Sequence, residues 1–269
     1  MRIPTAVRPA PAPWQQWWVL SGRVIRPTLR NAELLTPPAA SVLFTIGFYI
    51  PLKQLMGNFL DGMSSYAQYL LPLIVLQAIA FAAVSASFRS ATDAVLGINH
   101  RFGSMPIAPL TPLTARLSAS VFRCSSALLF AILCGHVIGF RFYNGAEVTT
   151  AFWLLALMIG VLLSLLGDLV GSATRNPEAT SHLLMLPMLV FGLLSVGVQP
   201  VEQFPGWIQP FVRNQPISQF IYALRALAGD STPAAGAVNW SVIGPALGCL
   251  VGTIAIVLPL YAYQSSRRR

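Results

Sequence analysis

Six long stretches without a charged residue divide this chain of 269 residues. Charged side chains make up only 9% of the chain, and they lie at the ends of these stretches. About 20 apolar residues cross the ~30 Å hydrocarbon core of a bilayer as a helix. A soluble protein would need a more strongly charged surface, so the sequence predicts a membrane protein. The stretches are residues 34–52, 62–88, 124–140, 148–167, 179–201 and 231–266.

These stretches predict an all-α membrane protein with six transmembrane helices. They are continuously apolar, whereas the strands of a membrane barrel alternate between apolar and polar residues. The fourth expected span also carries small residues at spacings of three or four, which let another helix approach closely. These are Gly160, Ser164, Gly167 and Gly171. The expected spans are residues 37–53, 68–88, 117–140, 149–171, 180–198 and 240–262.

The basic residues predict how the spans are oriented. With the N-terminus inside, twelve of the 17 basic residues fall on that side of the membrane and four on the other. This asymmetry is the one that the positive-inside rule describes. We therefore expect a multi-pass protein of the plasma (inner) membrane with both termini cytoplasmic. The net charge of +9 is then a property of the flanking arginines, and a nucleic-acid partner is not expected.

The segment before the first span has two parts. Residues 1–13 are rich in proline and predict a disordered cytoplasmic tail. Residues 14–35 predict an interfacial elbow helix, because at 100° per residue three tryptophans share one face and three arginines share the opposite face. The alternative is a loop whose basic residues only fix the topology. The residues concerned are Trp14, Trp17, Trp18, Arg23, Arg26 and Arg30.

Residues 36–269 are expected to form the six-span domain, with two long connections. Residues 89–116 form a cytoplasmic loop in this topology. Residues 199–238 lie outside and are too apolar for a solvated loop, while the four prolines at positions 200, 205, 210 and 216 break the segment into pieces. We expect this segment to form short helices that re-enter the outer leaflet, which broken backbone can do where it is buried in protein.

The sequence lacks the common nucleotide-binding, catalytic and metal-binding motifs. A P-loop requires a lysine after its second glycine, and the one lysine of the chain, Lys53, follows Leu52. We therefore expect no ATP hydrolysis and no cofactor in this chain. There is no HExxH, no GxSxG and no CxxC spacing, so neither catalytic nor metal-binding residues are assigned.

Two charged residues lie inside expected spans and require an explanation. A charge within a span is costly, so it normally pairs or faces water. Arg123 and Asp168 should lie at similar depth on neighbouring antiparallel helices, near the cytoplasmic ends of their spans. We expect an ion pair between them or a shared polar network at the cytoplasmic mouth. The alternative is that each side chain reaches the headgroups independently.

Apolar, aromatic and uncharged polar residues of two spans are candidates for a cargo pathway. Such side chains suit an amphiphilic molecule, because they do not have to lose a charged hydration shell. For each of them, simple helix packing is the alternative. The candidates are Tyr69, Gln77 and Phe81 in the second span and Met185, Met188, Phe191 and Gln199 in or after the fifth.

Several segments resemble a known family. FRSATDAVLGINHRFGSMPIAPLTPL, VIGFRF, DLVGSATRNPEA and PFVRNQPISQFIYALRALAGD are similar to the daunorubicin/doxorubicin-resistance permeases of actinobacteria, with the mycobacterial C subunit as the nearest likeness. These permeases are membrane subunits of ABC-2 type exporters. The resemblance extends from about Trp17 to Tyr263.

The resemblance implies a function and partners. It implies export of amphiphilic cargo, such as the complex lipid phthiocerol dimycocerosate or hydrophobic drugs of the anthracycline type. It implies a second homologous membrane subunit and two copies of an ABC ATPase subunit, which would bind ATP and Mg²⁺. By the same likeness, residues 91–102 and the turn at residues 175–178 would contact the ATPase. The coupling residues would be Asp93, Asn99, His100, Arg101, Phe102, Arg175 and Glu178.

Two other functions remain open at this point. One is an ion-coupled secondary exporter of hydrophobic drugs that needs no ATPase. The other is a membrane scaffold that transports nothing. Proton coupling normally uses a carboxylate near the middle of the membrane, and the expected depth of Asp168 is closer to the cytoplasmic edge.

Overall fold

The computed structural model describes residues 12–30, 35–56, 64–98, 101, 111–174, 176–230 and 238–266, and their regular secondary structure is entirely helical. A π-helical turn, Thr45–Tyr49, joins the second helix to the third, and a 3₁₀ turn, Val201–Gln203, precedes the eighth. The helices are α1 (Pro13–Arg30), α2 (Thr36–Phe44), α3 (Ile50–Met56), α4 (Tyr66–Val95), α5 (Thr111–Val137), α6 (Ala146–Ala173), α7 (Pro177–Leu193), α8 (Gln209–Asn214), α9 (Pro216–Ala228) and α10 (Trp240–Ser266).

Four helices of the described chain are long and apolar enough to cross a membrane. They are α4, α5, α6 and residues 240–261 of α10, and they match four of the six expected spans. In the first expected span, the π-helical turn interrupts the path from α2 to α3. In the fifth, α7 has 17 residues. At 1.5 Å per residue, such a helix is about 25 Å long and shorter than the ~30 Å core. Six spans therefore stay a prediction.

Helix α4 is the centre of the bundle. All of its residues from Tyr66 to Ala80 are buried, and it packs against α5, α6 and α7. Its N-terminus is capped by Ser65, whose hydroxyl accepts a hydrogen bond of 3.2 Å from the Gln68 backbone N–H. The core of the described chain is therefore built around one helix.

The close contact between α4 and α6 depends on glycine. A Cβ atom added at Gly167 would lie 2.7 Å from the carbonyl oxygen of Ala83, and one added at Gly171 would collide with the carbonyl of Ser87. Any larger residue at these positions would push the two helices apart. The small-residue pattern of the sequence thus predicted a helix contact that the structure confirms.

The segment between α7 and α10 packs into the bundle. In α9, eight of the 13 residues are buried, and α9 contacts α4, α6 and α10. Gln215 caps the end of α7: its side-chain amide donates to the carbonyls of Phe191, at 3.3 Å, and Leu194. This cap explains why α7 ends at Leu193 before the end of the expected span. The burial of α9 suits the expected re-entrant segment, whose place in the membrane stays a prediction.

The N-terminal helix lies against α5. The indole N–H of Trp17 donates to the Ser118 hydroxyl at 3.1 Å, and Ser21 is buried. Trp14 and Trp18 remain 65% and 67% exposed. The tryptophans therefore divide into one that holds α1 on the bundle and two that face outward, as an interfacial helix requires.

Candidate functional site

Charged and polar side chains from five helices meet at one end of the bundle, where α4, α6 and α10 end and α5 begins. We call this set of residues the polar cluster. Each helix brings its polar residues there because they lie at the borders of the apolar stretches. The polar cluster comprises Arg23 of α1, Arg89, Ser90 and Asp93 of α4, Arg116, Ser120 and Arg123 of α5, Asp168 of α6 and Tyr261 of α10.

Arg116 is the bridging residue of the polar cluster. Its Nη1 lies 2.8 Å from Oδ2 of Asp168, and its Nη2 lies 3.7 Å from Oδ2 of Asp93. The hydroxyl of Tyr261 donates to Asp168 Oδ2 at 3.3 Å. Asp168 is only 8% exposed, so it depends on these partners for the charge stabilisation that water would otherwise supply. One guanidinium group therefore links α4, α5 and α6.

Ser90 supplies a further link between α4 and α6. Its hydroxyl donates to the backbone carbonyl of Asp168 at 3.0 Å, and Arg116 Nη1 lies 3.5 Å from the same hydroxyl. This contact is possible because Gly167 and Gly171 bring the two helices close together. The close approach of the α4 and α6 backbones thus allows the Ser90 hydrogen bond, and this bond in turn stabilises the contact between the two helices.

Arg123 occupies the deeper side of the same cluster. It is 4% exposed, and its Nη2 donates to the Ser120 hydroxyl at 3.5 Å. A small cavity of about 20 Å³ has Arg123, Asp168 and Arg116 in its lining. The sequence predicted that Arg123 and Asp168 form an ion pair or share a polar network. Arg116 makes the ion pair, while Arg123 and Asp168 line the same small cavity. The two arginines are seven residues apart, which is about two helical turns, so both lie on the same face of α5.

A larger cavity of about 200 Å³ lies between α1 and the ends of α4 and α5. Its charged lining is Arg23, Arg89, Asp93 and Arg116, while its other wall is apolar. This composition suits an anion that also carries an apolar part. Within the described ranges, no three His, Cys, Asp or Glu residues lie together in a way that could hold a metal ion. The apolar lining is Leu20, Val24, Ile98, Pro112 and Ala115.

The structure places three of the residues expected to contact an ATPase. Asp93 lies in the last turn of α4, which continues to Val95, and it belongs to the polar cluster. Glu178 lies in the first turn of α7, after the N-cap Asn176. Arg101 is exposed. Asn99, His100, Phe102 and Arg175 lie outside the described residues. The other residues of the expected coupling helix, 91–102, are described, and residues 91–95 form the end of α4 and not the start of a separate helix.

The candidates for a cargo pathway divide into core and surface residues. On α4, Tyr69 and Gln77 are buried in the core. The Tyr69 hydroxyl donates to the Val196 carbonyl at 2.7 Å, and the Gln77 amide packs on Gly192. Phe81 is half-buried and meets the Phe44 ring edge-on at 5.7 Å. These contacts give Tyr69, Gln77 and Phe81 a packing role in this conformation.

The remaining candidates lie on a more open surface. Phe191 is exposed at the end of α7, with its ring 6.1 Å from that of Phe211. Met185, Met188 and Gln199 are half-buried. The structure thus buries Tyr69 and Gln77 in the core, whereas Phe81 and the candidates of α7 and its following turn remain at least partly exposed.

At the opposite end of the bundle, Arg225 of α9 holds the buried segment in place. Its guanidinium carbon lies 3.8 Å above the ring of Tyr69, and its Nη2 donates to the carbonyls of Tyr69 and Val196 at 3.1 and 3.0 Å. Nearby, the Gln68 amide donates to the carbonyls of Arg141 and Gly229 at 2.8 and 2.6 Å. The sequence did not predict the contacts of Arg225 and Gln68, because most of their partners are backbone groups.

Arg116 and Tyr261 are the members of the polar cluster that the sequence missed most clearly. Arg116 was counted only as a charge that flanks a span. Its spacing of seven from Arg123 was the signal that could have placed it beside Asp168. Tyr261 carries no such signal, because its contact with Asp168 joins residues 93 positions apart.

Comparison with known proteins gives this arrangement a family. The family described as ABC-2 family transporter protein matches residues 40–263. The chain is 51% identical over 248 residues to the doxorubicin resistance ABC transporter permease protein DrrB of Mycobacterium tuberculosis, which covers 90% of this chain and 86% of that protein.

More distant relatives belong to the same group. The probable doxorubicin resistance ABC transporter permease protein DrrC of M. tuberculosis is 26% identical over 243 residues, covering 87% of this chain and 84% of its own length. The daunorubicin resistance ABC transporter permease protein DrrB1 of Streptomyces coeruleorubidus is 27% identical over 223 residues, covering 81% and 76%.

These matches confirm the resemblance that the sequence motifs indicated. DrrC is among the relatives, and of the two mycobacterial permeases the chain is more similar to DrrB. With four apolar helices of membrane-spanning length among its described residues, the chain is a multi-pass membrane protein. Because the family match covers most of its length, the chain belongs to the ABC-2 family of transporter proteins.

Proposed function

We propose that this chain is the membrane-spanning permease subunit of an ATP-driven exporter that moves amphiphilic cargo outward across the plasma membrane. The observation that carries the proposal is the family match over residues 40–263, together with 51% identity to a permease named for doxorubicin resistance. Hydrophobic drugs of the anthracycline type are therefore the first cargo class. A complex lipid such as phthiocerol dimycocerosate is the second, and it rests on the resemblance of the sequence motifs alone.

The driving force comes from partner chains in this proposal. Two copies of an ABC ATPase subunit bind ATP and Mg²⁺, and a second homologous membrane subunit completes the pathway. The names of the relatives support this arrangement, because each describes a permease protein of an ABC transporter. The ATPase contacts the end of α4 near Asp93, the residues that follow it, and the turn before Glu178.

The polar cluster transmits the movement of the ATPase to the bundle. A force applied beyond Asp93 reaches Arg116 through the 3.7 Å contact and passes to Asp168 of α6 through the 2.8 Å contact. Since α4 and α6 also touch through glycine, they move as one unit rather than slide past each other. Asp168 has a structural role in this proposal, which distinguishes it from the proton-carrying carboxylate of an ion-coupled exporter.

Orientation follows the positive-inside rule in the proposal. The end of the bundle that carries Arg23, Arg89 and Arg116 faces the cytoplasm, as do both termini. The six expected spans then include the path from α2 to α3 and helix α7, with local adjustment of the bilayer at the shorter helix. The segment from α8 to α9 re-enters from the outer side.

Transport in inside-out vesicles tests the proposal. We expect uptake of doxorubicin into vesicles that hold the chain, its partner permease and the ATPase, and we expect uptake to require Mg-ATP. The control is an ATPase whose P-loop lysine is replaced, which should reduce uptake to the level of empty vesicles. Uptake by this chain alone under a pH gradient, without ATP, would overturn the proposal and support the ion-coupled alternative.

A further inference from the structure

The cavity between α1 and the ends of α4 and α5 shares Asp93 and Arg116 with the proposed path of force, whereas Arg23 and Arg89 of its lining have no role in that path. Its volume of about 200 Å³ is large compared with a water molecule, which occupies about 30 Å³ in the liquid. A phosphate group with several waters fits into such a space. The cavity therefore has room for the polar head of a ligand.

The charge of the lining selects an anion. Three arginines and one aspartate face the cavity. Arg116 is paired with Asp168 at 2.8 Å, so Arg23, Arg89 and Asp93 leave a net charge of +1. We assign Arg23 of α1 and Arg89 of α4 as the ligands, because they lie on two helices that border the cavity and each guanidinium group carries several N–H donors. A guanidinium group presents parallel N–H donors that match two oxygens of a phosphate. A protonated drug amine would be repelled by the same lining.

The position of the cavity indicates that the anion belongs to a lipid. Trp14 and Trp18 project from α1 with two thirds of their surface exposed, and exposed tryptophans of this kind mark the headgroup level of a bilayer. The apolar wall of the cavity, to which Leu20 and Val24 of α1 belong, suits the glycerol and the beginning of the acyl chains. A free phosphate ion would leave this wall without a partner.

We propose that this cavity binds the phosphate of one anionic phospholipid, with Arg23 and Arg89 as its ligands. Because the two arginines belong to different helices, the lipid joins α1 to α4 through a shared anion. The position of α1 on the bundle then depends on the lipid composition of the leaflet it contacts. This inference does not depend on the ATPase or on the cargo.

Native mass spectrometry of the full-length chain in detergent tests the lipid site. The probes are phosphatidylglycerol, phosphatidylcholine and inorganic phosphate. We expect one phosphatidylglycerol molecule to bind more tightly than phosphatidylcholine. Arg23→Gln and Arg89→Gln should each weaken its binding by about tenfold, the effect of losing a charge-assisted hydrogen bond. Arg89→Lys should bind more tightly than Arg89→Gln, since it keeps the charge, but less tightly than the wild type, since lysine lacks the two parallel donors.

Arg26→Gln is the matched control, because Arg26 lies on the same helix, is exposed and does not line the cavity. Its binding of phosphatidylglycerol should stay within about twofold of the wild type. An equal loss in Arg23→Gln and Arg26→Gln would show only general attraction of anions and would overturn the proposal. So would equal binding of the two lipids, or inorganic phosphate that displaces phosphatidylglycerol at equal concentration. Size-exclusion chromatography confirms that each variant is folded.

Discussion

Arg116 Nη1 lies 2.8 Å from Asp168 Oδ2, and this ion pair joins the beginning of α5 to the end of α6. Both side chains are largely withdrawn from solvent, with 15% and 11% of their surfaces exposed. Asp168 also accepts a hydrogen bond from Tyr261 of α10. The pair is therefore the point at which three helices of the bundle depend on one another.

Replacement of Arg116 by methionine should destabilise the protein strongly. Asp168 would be left buried without its cation, and such a loss typically costs about 3–5 kcal/mol. Thermal unfolding in detergent measures the change. Arg116→Met combined with Asp168→Leu should recover most of the stability, because removal of both charges leaves no unpaired group. A double variant that unfolds as easily as Arg116→Met would contradict the pairing.

Replacement of Gly171 by alanine should separate α4 from α6. The added Cβ would collide with the carbonyl of Ser87, and overpacking of this kind costs about 1–3 kcal/mol. The control is Gly252→Ala in α10, where an added Cβ meets nothing within 4 Å. That control should be neutral or stabilising, since alanine favours a helix by about 1 kcal/mol over glycine. Equal melting temperatures for the two variants would argue against the close contact.

Replacement of Arg225 by methionine should loosen α9. The change removes hydrogen bonds to two carbonyls and the contact with the Tyr69 ring, and each hydrogen bond from a charged group contributes about 1.5–3 kcal/mol. Hydrogen exchange should rise in residues 216–228 and stay unchanged in α5. Arg213→Met, at an exposed position, is the matched control. Exchange that rises equally in both variants would rule out a specific role for Arg225.

Replacement of Trp17 by phenylalanine should weaken the attachment of α1. The variant keeps the aromatic ring but loses the hydrogen bond to Ser118, which contributes about 0.5–1.5 kcal/mol. Faster hydrogen exchange in α1 is the expected readout. Trp18→Phe serves as the control, because Trp18 is 67% exposed. If Trp18→Phe has the larger effect, the orientation of α1 described above is wrong.

The sequence predicted four of the long helices, because a segment that crosses the membrane must be apolar over about 20 consecutive residues. Uncharged stretches of about 20 residues have one common solution, the helix, since every backbone group must be paired within it. The glycine pattern of α6 also predicted a close helix contact, because small residues let the backbones approach whichever helix is the partner. The end of α7 could not be predicted from the local sequence. It depends on the side-chain amide of Gln215, which lies 21 residues beyond Leu194.

The sequence by itself determined that this chain is a helical membrane protein, where four of its long apolar helices lie and that Asp168 needs a polar partner. Only the tertiary structure decided that Arg116 rather than Arg123 makes the ion pair, and that Tyr261 and Ser90 join the same group. The reason is physical. The apolar segments can be identified from the local sequence. Which of two arginines on one helix face pairs with Asp168 depends on the axial positions of the neighbouring helices.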